Sequence, residues 1–406
     1  MAAVTRGLTQ DALANQMHAK PSAYRWLALA CAWGALLVTF VDRLAWGNLA
    51  VTIGQSLGLQ IGALGVFVTA FYVGYVLANV GGGIATDRFG PRKALTLSLL
   101  LLGICTCLFG HVSSVPAGLA LQAMMGLAAG CDYSACIKLT AAWFDIRSRG
   151  RAIGLLMTAT SLAVVLTNAL IPRLLGMQSW HRIYEGMGIT TVVFGLCCFV
   201  LVRDGPLSSQ AHRHQLSFGS LFRNQGLLLL AVAGFGAMWG TWGFTFWANS
   251  LMIKGHGLSV LEAGEITMMF GVGAIFSKPL IGLLSDWLGG KRKLLVMACL
   301  LGFAVLLLAF GSLHDAAQFR FIAPFLGVTA FAYSPLLAVM VAEAAGPALS
   351  GSATGLTNAF WQLGSVAVPL VVGAVFQSTH SFPAAFMTLA IGPAFAVAVL
   401  LAVREA

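Results

Sequence analysis

Twelve apolar stretches, most of them about twenty residues long, occupy nearly the whole sequence. An α-helix rises about 1.5 Å per residue, so about twenty apolar residues cross the hydrocarbon core of a bilayer. Hydrophobic residues make up 59% of the chain and charged residues only 9%, whereas soluble domains carry about 25% charged residues. The sequence therefore predicts an all-α integral membrane protein with twelve transmembrane helices.

The longest polar connection falls near the middle of the chain and divides the predicted helices into two sets of six. The predicted organisation is a cytoplasmic tail at 1–25, a six-helix bundle at 26–203, a cytoplasmic linker at 204–224, a second bundle at 225–403 and a C-terminus at 404–406. The other connections are short, so neighbouring helices are expected to run antiparallel.

The positive charges lie mostly on one side of the predicted spans. With the N-terminus inside, inner segments hold 16 of the 23 Lys and Arg residues, outer loops hold four, and Arg43, Lys138 and Lys278 fall within spans. By the positive-inside rule, both termini are expected in the cytoplasm of a multi-pass inner-membrane or plasma-membrane protein. Basic segments beside the bilayer account for the net charge of +10 without a nucleic-acid partner.

A short polar motif occurs twice, once after the second span and once after the eighth. The two copies are separated by 199 positions, measured between their aspartates, which is close to half the chain. The first copy holds Gly83, Asp87, Arg88, Gly90 and Arg92, and the second holds Asp286, Lys291 and Arg292. A motif repeated at half the length indicates an internal duplication.

This duplicated loop in a chain of twelve spans resembles the major facilitator superfamily. The resemblance implies two pseudo-symmetric six-helix bundles around a central cavity that opens alternately to either side. It also implies that the loop residues act as a gating latch at the cytoplasmic side. The second copy has Trp287 in the place of Arg88, so its latch is expected to be weaker.

Two adjacent charges, Asp42 and Arg43, lie well inside the first predicted span. A charge at the centre of a bilayer costs roughly 2.5–3.5 kcal/mol on insertion scales, so such residues are functional candidates. The alternative interpretation is an internal ion pair that only fixes helix packing. Adjacent residues on a helix point about 100° apart and pair poorly, which favours the functional interpretation.

The first two spans resemble the anion:cation symporter group of the superfamily, which includes transporters of sugar acids and other organic anions. The resemblance rests on residues 40–43 in the first span and 70–75 in the second. It implies that Arg43 contacts a substrate carboxylate, that Asp42 is a proton-linked acid and that Tyr75 faces the substrate. Arginine suits the first role because its guanidinium is always charged and binds a carboxylate with two hydrogen bonds.

The fourth span departs from that group. The position of the group's glutamate is Ala129 here, the position of its arginine is Gln122, and Asp132 lies one turn beyond Ala129 on roughly the same face. Asp132 is predicted to be a second proton-coupling acid, with a buried packing network as the alternative. An arriving carboxylate is expected to compete for Arg43 and leave Asp42 readier to take a proton.

Lys278, in the eighth span, lies eight residues before Asp286. A basic residue at this offset resembles the oxalate–formate and monocarboxylate transporter groups, where an arginine binds carboxylate. Lysine supplies a point charge without the fork, and the alternative is that it pairs with an acid in the cavity. In the eleventh span, Asn358 matches a substrate-side asparagine of the symporter group.

Two further substrate-binding candidates lie near Asn358 in the eleventh span. Gln362 follows it by four residues and shares its helix face, and Trp361 is the aromatic neighbour.

Several function classes are excluded by what the sequence lacks. It has no phosphate-binding loop motif and no soluble region long enough for a catalytic domain, so direct use of ATP and an enzymatic activity are not expected. The eight cysteines lie in apolar stretches without zinc spacing, so no metal or cofactor is predicted.

The sequence thus predicts a monomeric secondary transporter of a small organic anion, coupled to protons. The alternatives are an anion exchanger of the same fold or an exporter of hydrophobic compounds.

Overall fold

The computed structural model describes residues 23–144, 146–205, 224–288, 291–345 and 350–403. Some side chains within its helices are also outside the described part, and these are at 80–85, 87, 146–147, 149–150, 279, 282, 286 and 350–352. The predicted latch residues Gly83, Asp87 and Asp286 are among these side chains. Nearly all of the predicted tail, most of the linker and the last three residues also lie outside the described part.

The described residues form twelve long helices, which we number in chain order. They are α1 (Tyr24–Ser56), α2 (Ile61–Phe89), α3 (Pro91–Phe109), α4 (Val115–Trp143), α5 (Ile146–Leu175), α6 (Trp180–Leu201), α7 (Gln225–His256), α8 (Val260–Trp287), α9 (Arg292–Gly311), α10 (Ala316–Ala345), α11 (Ser350–Thr379) and α12 (Phe382–Leu401). Eleven of the twelve are long and apolar enough to cross a membrane, the exception being α4. The predicted all-α membrane fold is confirmed.

Local sequence explains where several helices begin and end. The side chains of Ser179, Asn224 and Ser381 each accept a hydrogen bond from a backbone N–H in the first turn of the helix that follows. Such caps satisfy donors that have no partner within the helix. At the other end of α7, Gly257 adopts a left-handed conformation with φ of 68°, which glycine reaches without steric cost.

The internal duplication is visible in helix packing. A Cβ placed on Gly126 of α4 would lie 1.9 Å from the carbonyl oxygen of Phe71 on α2. In the second half, a Cβ on Gly327 of α10 would lie at the same 1.9 Å from the carbonyl oxygen of Phe270 on α8. Glycine therefore lets the same two helices of each half approach backbone to backbone, as is common in membrane bundles.

Replacing Gly126 with alanine is expected to destabilise the protein by about 1–3 kcal/mol, because the added methyl group forces α2 and α4 apart. Thermal unfolding of the purified protein in detergent measures the effect. The matched control is Gly154→Ala on α5, since a Cβ there meets no atom within 4 Å. Equal melting temperatures for the two variants would contradict this account of the helix pair.

A network of three buried asparagines joins the two halves. The amide of Asn249 on α7 donates to the side-chain oxygens of Asn48 (2.9 Å) and Asn168 (3.0 Å), which belong to α1 and α5. Asn48 also donates to Asn168 at 3.0 Å, and Thr267 of α8 donates to Asn249 at 2.5 Å. We call these three asparagines the amide network. The network lies near the end of the bundle where residues 57–60 connect α1 to α2. We call this the outer end, because the predicted orientation places it outside the cytoplasm.

Further contacts between the halves surround the amide network at the outer end. Glu265 of α8 lies 3.8 Å from Arg173 of α5, in the other half, and 3.1 Å from Arg320 of α10, in its own half, and Gln377 of the second half donates to Gln60 of the first. At the opposite, inner end, a Cβ on Gly154 or Gly355 would meet no atom within 4 Å. The halves are thus joined at the outer end and leave open space beside α5 and α11 at the inner end.

Candidate functional site

The guanidinium of Arg43 lies between the two halves and is only 4% exposed. It donates a hydrogen bond to the Tyr72 hydroxyl, and its Nε has no hydrogen-bond partner. Five aromatic rings surround its central carbon, at centroid distances of 4.2 Å (Trp242), 4.6 Å (Tyr72), 4.9 Å (Tyr75), 5.0 Å (Phe40) and 5.9 Å (Phe71). We call these five residues the aromatic cage.

The aromatic cage holds the cation without neutralising it. Ring faces stabilise a guanidinium by about 0.5–2 kcal/mol each but carry no net negative charge. Within the described part of the chain, the ion pairs involve other residues and none reaches Arg43. A buried guanidinium with spare N–H donors is suited to bind an anion from solution.

Asp42, the neighbour of Arg43, points into the first half. Its Oδ2 accepts hydrogen bonds from Thr191 of α6 at 2.8 Å and from Thr106 of α3 at 3.3 Å, and the side chain is 3% exposed. The expected direct competition between a substrate and Asp42 for Arg43 does not match this geometry. The physical reason is that adjacent helical residues point about 100° apart, so the two side chains contact different parts of the protein.

Asp132 of α4 lies in the core of the first half, fully buried. One carboxylate oxygen accepts a weak hydrogen bond from the Cys136 thiol at 3.4 Å, and the other oxygen has no hydrogen-bond partner. Cys136 in turn contacts the Ala32 carbonyl of α1 at 3.4 Å. Asp42 therefore belongs to α1 and Asp132 lies against it, and in the described part of the chain neither acid forms an ion pair with Arg43.

Lys278 extends from α8 toward the first half. Its Nζ lies 3.4 Å from the Thr160 hydroxyl of α5 and 5.9 Å from the centroid of the Phe331 ring. No described acid pairs with it, so the described contacts of this ammonium are with a hydroxyl and a ring. It is a second cation at the boundary between the halves.

The predicted residues of α11 separate into two groups. Gln362 is buried and accepts from Ser365 at 3.2 Å, and Ser365 lies beside the Tyr72 hydroxyl that Arg43 binds. Asn358, on the same face as Gln362, is half-buried. Trp361 points the other way and donates to the Leu230 carbonyl at 3.1 Å. The structure therefore places Trp361 within the second half, apart from the aromatic cage.

Two of the predicted latch residues bind partners within their own halves. Arg92 donates to the Phe199 carbonyl at 2.6 and 3.1 Å, and its backbone N–H donates to Asp204 at 3.1 Å. In the second half, Arg292 pairs with Glu343 at the end of α10. In this arrangement, both arginines tie helix ends together inside each half.

The other described latch residues are close to the surface. Arg88 and Lys291 are exposed, and Gly90 has a φ of 84° between α2 and α3. That positive φ explains why the motif needs glycine at this position.

Of the five residues of the aromatic cage, only Tyr75 was predicted to face the substrate, and the two rings nearest to Arg43 belong to Trp242 and Tyr72. Tyr72 lies one turn before Tyr75 on the same face of α2, and that i, i+3 spacing could have identified it. Trp239 and Trp242 both lie well inside the seventh predicted span, where the sequence allows either to line a cavity or only to pack. The structure separates them, since Trp242 faces Arg43 and Trp239 donates to the Thr388 carbonyl of α12 at 2.9 Å.

Comparison with known families fits this geometry. The family model described as the Major Facilitator Superfamily matches residues 31–369, and a second match covers 256–406. The chain belongs to the Major Facilitator Superfamily. This superfamily consists of transporters, so the prediction that the chain is not an enzyme is confirmed, and so is the resemblance that the duplicated loop indicated.

Curated relatives of this superfamily member match over most of its length. A probable galactarate/D-glucarate transporter of Bacillus subtilis (strain 168) is 22% identical over 407 residues, covering 91% of this chain and 89% of that protein. A probable galactarate/D-glucarate transporter of Escherichia coli (strain K12) is 23% identical over 405 residues, covering 89% and 90%. A probable sulfoacetate transporter of Cupriavidus necator is 23% identical over 378 residues, covering 86% and 87%.

A solved structure shares the fold. It is a bacterial homologue of the human lysosomal transporter Spinster in an inward-facing, unoccupied conformation. The two chains superpose with a TM-score of 0.74 at 14% sequence identity, covering 94% of this chain and 96% of the other. The likeness confirms the arrangement of the twelve helices.

Proposed function

We propose that this superfamily member is a secondary active transporter that moves a small organic anion across the membrane by alternating access, coupled to protons. The observation that carries the proposal is the buried, unneutralised guanidinium of Arg43 at the boundary between the halves. The printed names of the relatives, which are transporters of sugar acids and of sulfoacetate, support an organic acid as the substrate class.

The anion would bind between cations from both halves. Its carboxylate would accept hydrogen bonds from Arg43, including the donor that now binds the Tyr72 hydroxyl. That hydroxyl would keep Ser365 as its neighbouring hydrogen-bond partner. Lys278, from the second half, would attract a second anionic or polar group. Gln362 and Asn358 would supply amide contacts on α11, and Tyr75 would contact the body of the substrate. A substrate that binds both halves can favour a change in their relative position.

Proton coupling would act through α1. When it is ionised, the Asp42 carboxylate would accept its two hydroxyl bonds with a full negative charge, which would hold α1 against α3 and α6. Protonation weakens these charge-assisted bonds and lets α1, which carries Arg43, shift relative to its neighbours. Asp132 would exert a similar influence through its contacts on the other side of α1. Coupling of this kind must be reciprocal, so protons and substrate affect each other's binding.

Two further functions of the same fold remain alternatives. An anion exchanger would use Arg43 and Lys278 in the same way without net proton movement. An exporter of hydrophobic compounds fits the aromatic cage, but the two cations at the boundary between the halves favour an anionic substrate. We also propose that the transporter works as a monomer, because the cage and the amide network both lie within one chain.

The test of the proposal is a thermal-shift screen of the purified protein against a panel of small organic acids. A ligand at a hundred times its dissociation constant stabilises the folded state by about 2.7 kcal/mol, so a substrate raises the melting temperature measurably. The neutral amide of each acid is the control. Equal stabilisation by acid and amide, or by neither, would contradict an anion site at Arg43.

Lys278→Gln is expected to weaken substrate affinity about tenfold or more, because a cation next to an anion contributes at least about 1.4 kcal/mol in a partly desolvated site. Concentration-dependent uptake into proteoliposomes measures the change. Lys254→Gln is the matched control, since that lysine is exposed at the end of α7. Uptake by Lys278→Gln with normal affinity would show that this lysine serves only the packing of α5 against α8.

The proposed orientation places both termini in the cytoplasm, following the distribution of Lys and Arg. Reporter domains fused at residue 214, in the linker, and after residue 406 should both report an inside location. An outside signal from either fusion would overturn the assignment of inner and outer ends.

A further inference from the structure

A crevice of about 390 Å³ opens between α5 and α6 on the side of the first half, away from the aromatic cage. Gln178 and Arg182 lie at its outer end, and α1 forms its floor with Leu37, Val38, Val41 and Asp42. Thr191, which donates to the Asp42 carboxylate, also lines it. The crevice therefore connects a buried acid with the outer end of the bundle.

The two walls of the crevice differ in polarity. The α5 wall is mostly apolar, with Leu166, Leu170 and Leu174. The α6 wall carries Arg182, Gly186 and Thr190, four residues apart and hence on one helix face. Ile183 and Met187 also belong to this wall, so its polar side chains lie at the two ends of the path, with Arg182 at the outer end and Thr190 and Thr191 toward Asp42.

Two buried hydroxyls near the floor lack partners. Thr167 lines the crevice with its Oγ1 buried and without a hydrogen bond, and the hydroxyl of Tyr184 is likewise buried and without a partner. Tyr184 lies near enough to Asp42 to interact with it electrostatically. Buried polar groups are nearly always hydrogen-bonded to protein or to ordered water, so these two hydroxyls have hydrogen-bonding capacity that a water molecule beside Asp42 could use.

We propose that protons reach Asp42 from the outer surface through this crevice, along a path separate from that of the anion. The proposal rests on the proposed role of Asp42 in proton coupling. The separation has a structural basis, since the amide network joins the halves at the outer end while the crevice lies within one half. Besides the crevice residue Arg182, the titratable groups facing Asp42 are Cys107 of α3 and Tyr184 of α6.

The test uses cysteine substitutions and a water-soluble, membrane-impermeant thiosulfonate added to the outside of proteoliposomes or oriented vesicles. The variants are Gly186→Cys and Thr190→Cys in the crevice, and Val193→Cys, which is 53% exposed on the same helix but does not line the crevice. A new side chain at Gly186 meets no atom within 4 Å, so the variant is expected to fold. Peptide mapping by mass spectrometry separates the new thiols from the eight native ones.

The crevice thiols are expected to react about tenfold faster than Cys at position 193, because the ionised thiolate attacks the thiosulfonate and displaces a sulfinate, whereas a thiol facing lipid stays protonated. Reaction at position 186 also plugs the crevice, so accumulation of the anion driven by a pH gradient should fall several-fold while substrate exchange continues. Equal reaction rates at 186, 190 and 193 would mean that lipid fills the crevice, and the proposal would be wrong.

Failure of the crevice proposal can be distinguished from failure of the proposed function. Normal gradient-driven accumulation by the modified Gly186→Cys protein would overturn the crevice as a proton path, even if Asp42 is the coupling acid. Normal accumulation by Asp42→Asn would instead overturn Asp42 as the coupling acid. The thiol reaction rates do not depend on transport and report on the crevice in either case.

Discussion

Replacing Arg43 with glutamine is expected to abolish binding of the organic anion, with a loss of affinity on the order of a hundredfold or more. Within the described part of the chain, the guanidinium is the charged group that the aromatic cage surrounds, and its donors cannot be replaced by a neutral amide of different reach. Binding measured by thermal shift or calorimetry, and uptake into proteoliposomes, should both show the loss. Normal affinity in Arg43→Gln would overturn the proposed site.

A second variant separates charge from geometry at the same position. Arg43→Lys keeps the positive charge but presents a point charge without the two parallel donors. It is expected to retain weak binding, between that of the glutamine variant and that of the natural protein. Tyr72→Phe tests the neighbouring contact, since it removes the hydroxyl that Arg43 binds and that a substrate would displace. The exposed Lys254→Gln variant should bind normally.

Asp42→Asn is expected to keep exchanging substrate across the membrane but to lose accumulation driven by a proton gradient. The amide has nearly the same shape and its oxygen can still accept from Thr106 and Thr191, so the fold should be kept. It cannot take up and release a proton, so the step that the gradient drives is removed. Uptake with and without an imposed pH gradient, together with counterflow, measures the two properties separately.

Asp132→Asn is expected to show a milder form of the same defect. Asp132 contacts α1 through Cys136, whereas Asp42 belongs to α1 itself. If both variants still concentrate the anion in response to the gradient, neither acid couples protons to transport. The exchanger would then be the better description of the protein.

The lengths of the apolar stretches made the helices predictable, because a bilayer requires about twenty apolar residues per span and full backbone hydrogen bonding within each span. The duplicated motif identified the superfamily. Arg43 could be identified because a charge at that depth is too costly to retain without a role. These inferences depend on composition and spacing, which a single sequence contains.

The direction of each side chain around its helix was harder to infer. Asp42 and Arg43 were expected to act on each other, yet they face different surroundings because one residue step turns the helix by about 100°. Trp361 was grouped with Gln362, although its indole reaches the Leu230 carbonyl. The amide network joins residues 48, 168 and 249, and no local pattern relates positions so far apart. Such contacts follow from how the helices pack. Apolar periodicity alone does not specify that packing when apolar residues lie on all sides of each helix.

The amide network also bears on how pH can affect the contact between the two halves. Asn48, Asn168 and Asn249 carry no group that titrates, and separating them exchanges neutral hydrogen bonds for bonds to water. Each such bond contributes only about 0.5–1.5 kcal/mol net. Separating the three asparagines therefore costs little free energy, and the cost does not depend on pH. Protons should therefore leave the amide network unchanged, so the dependence of transport on external pH should reflect Asp42, Asp132 and the ion pair of Glu265 with Arg173.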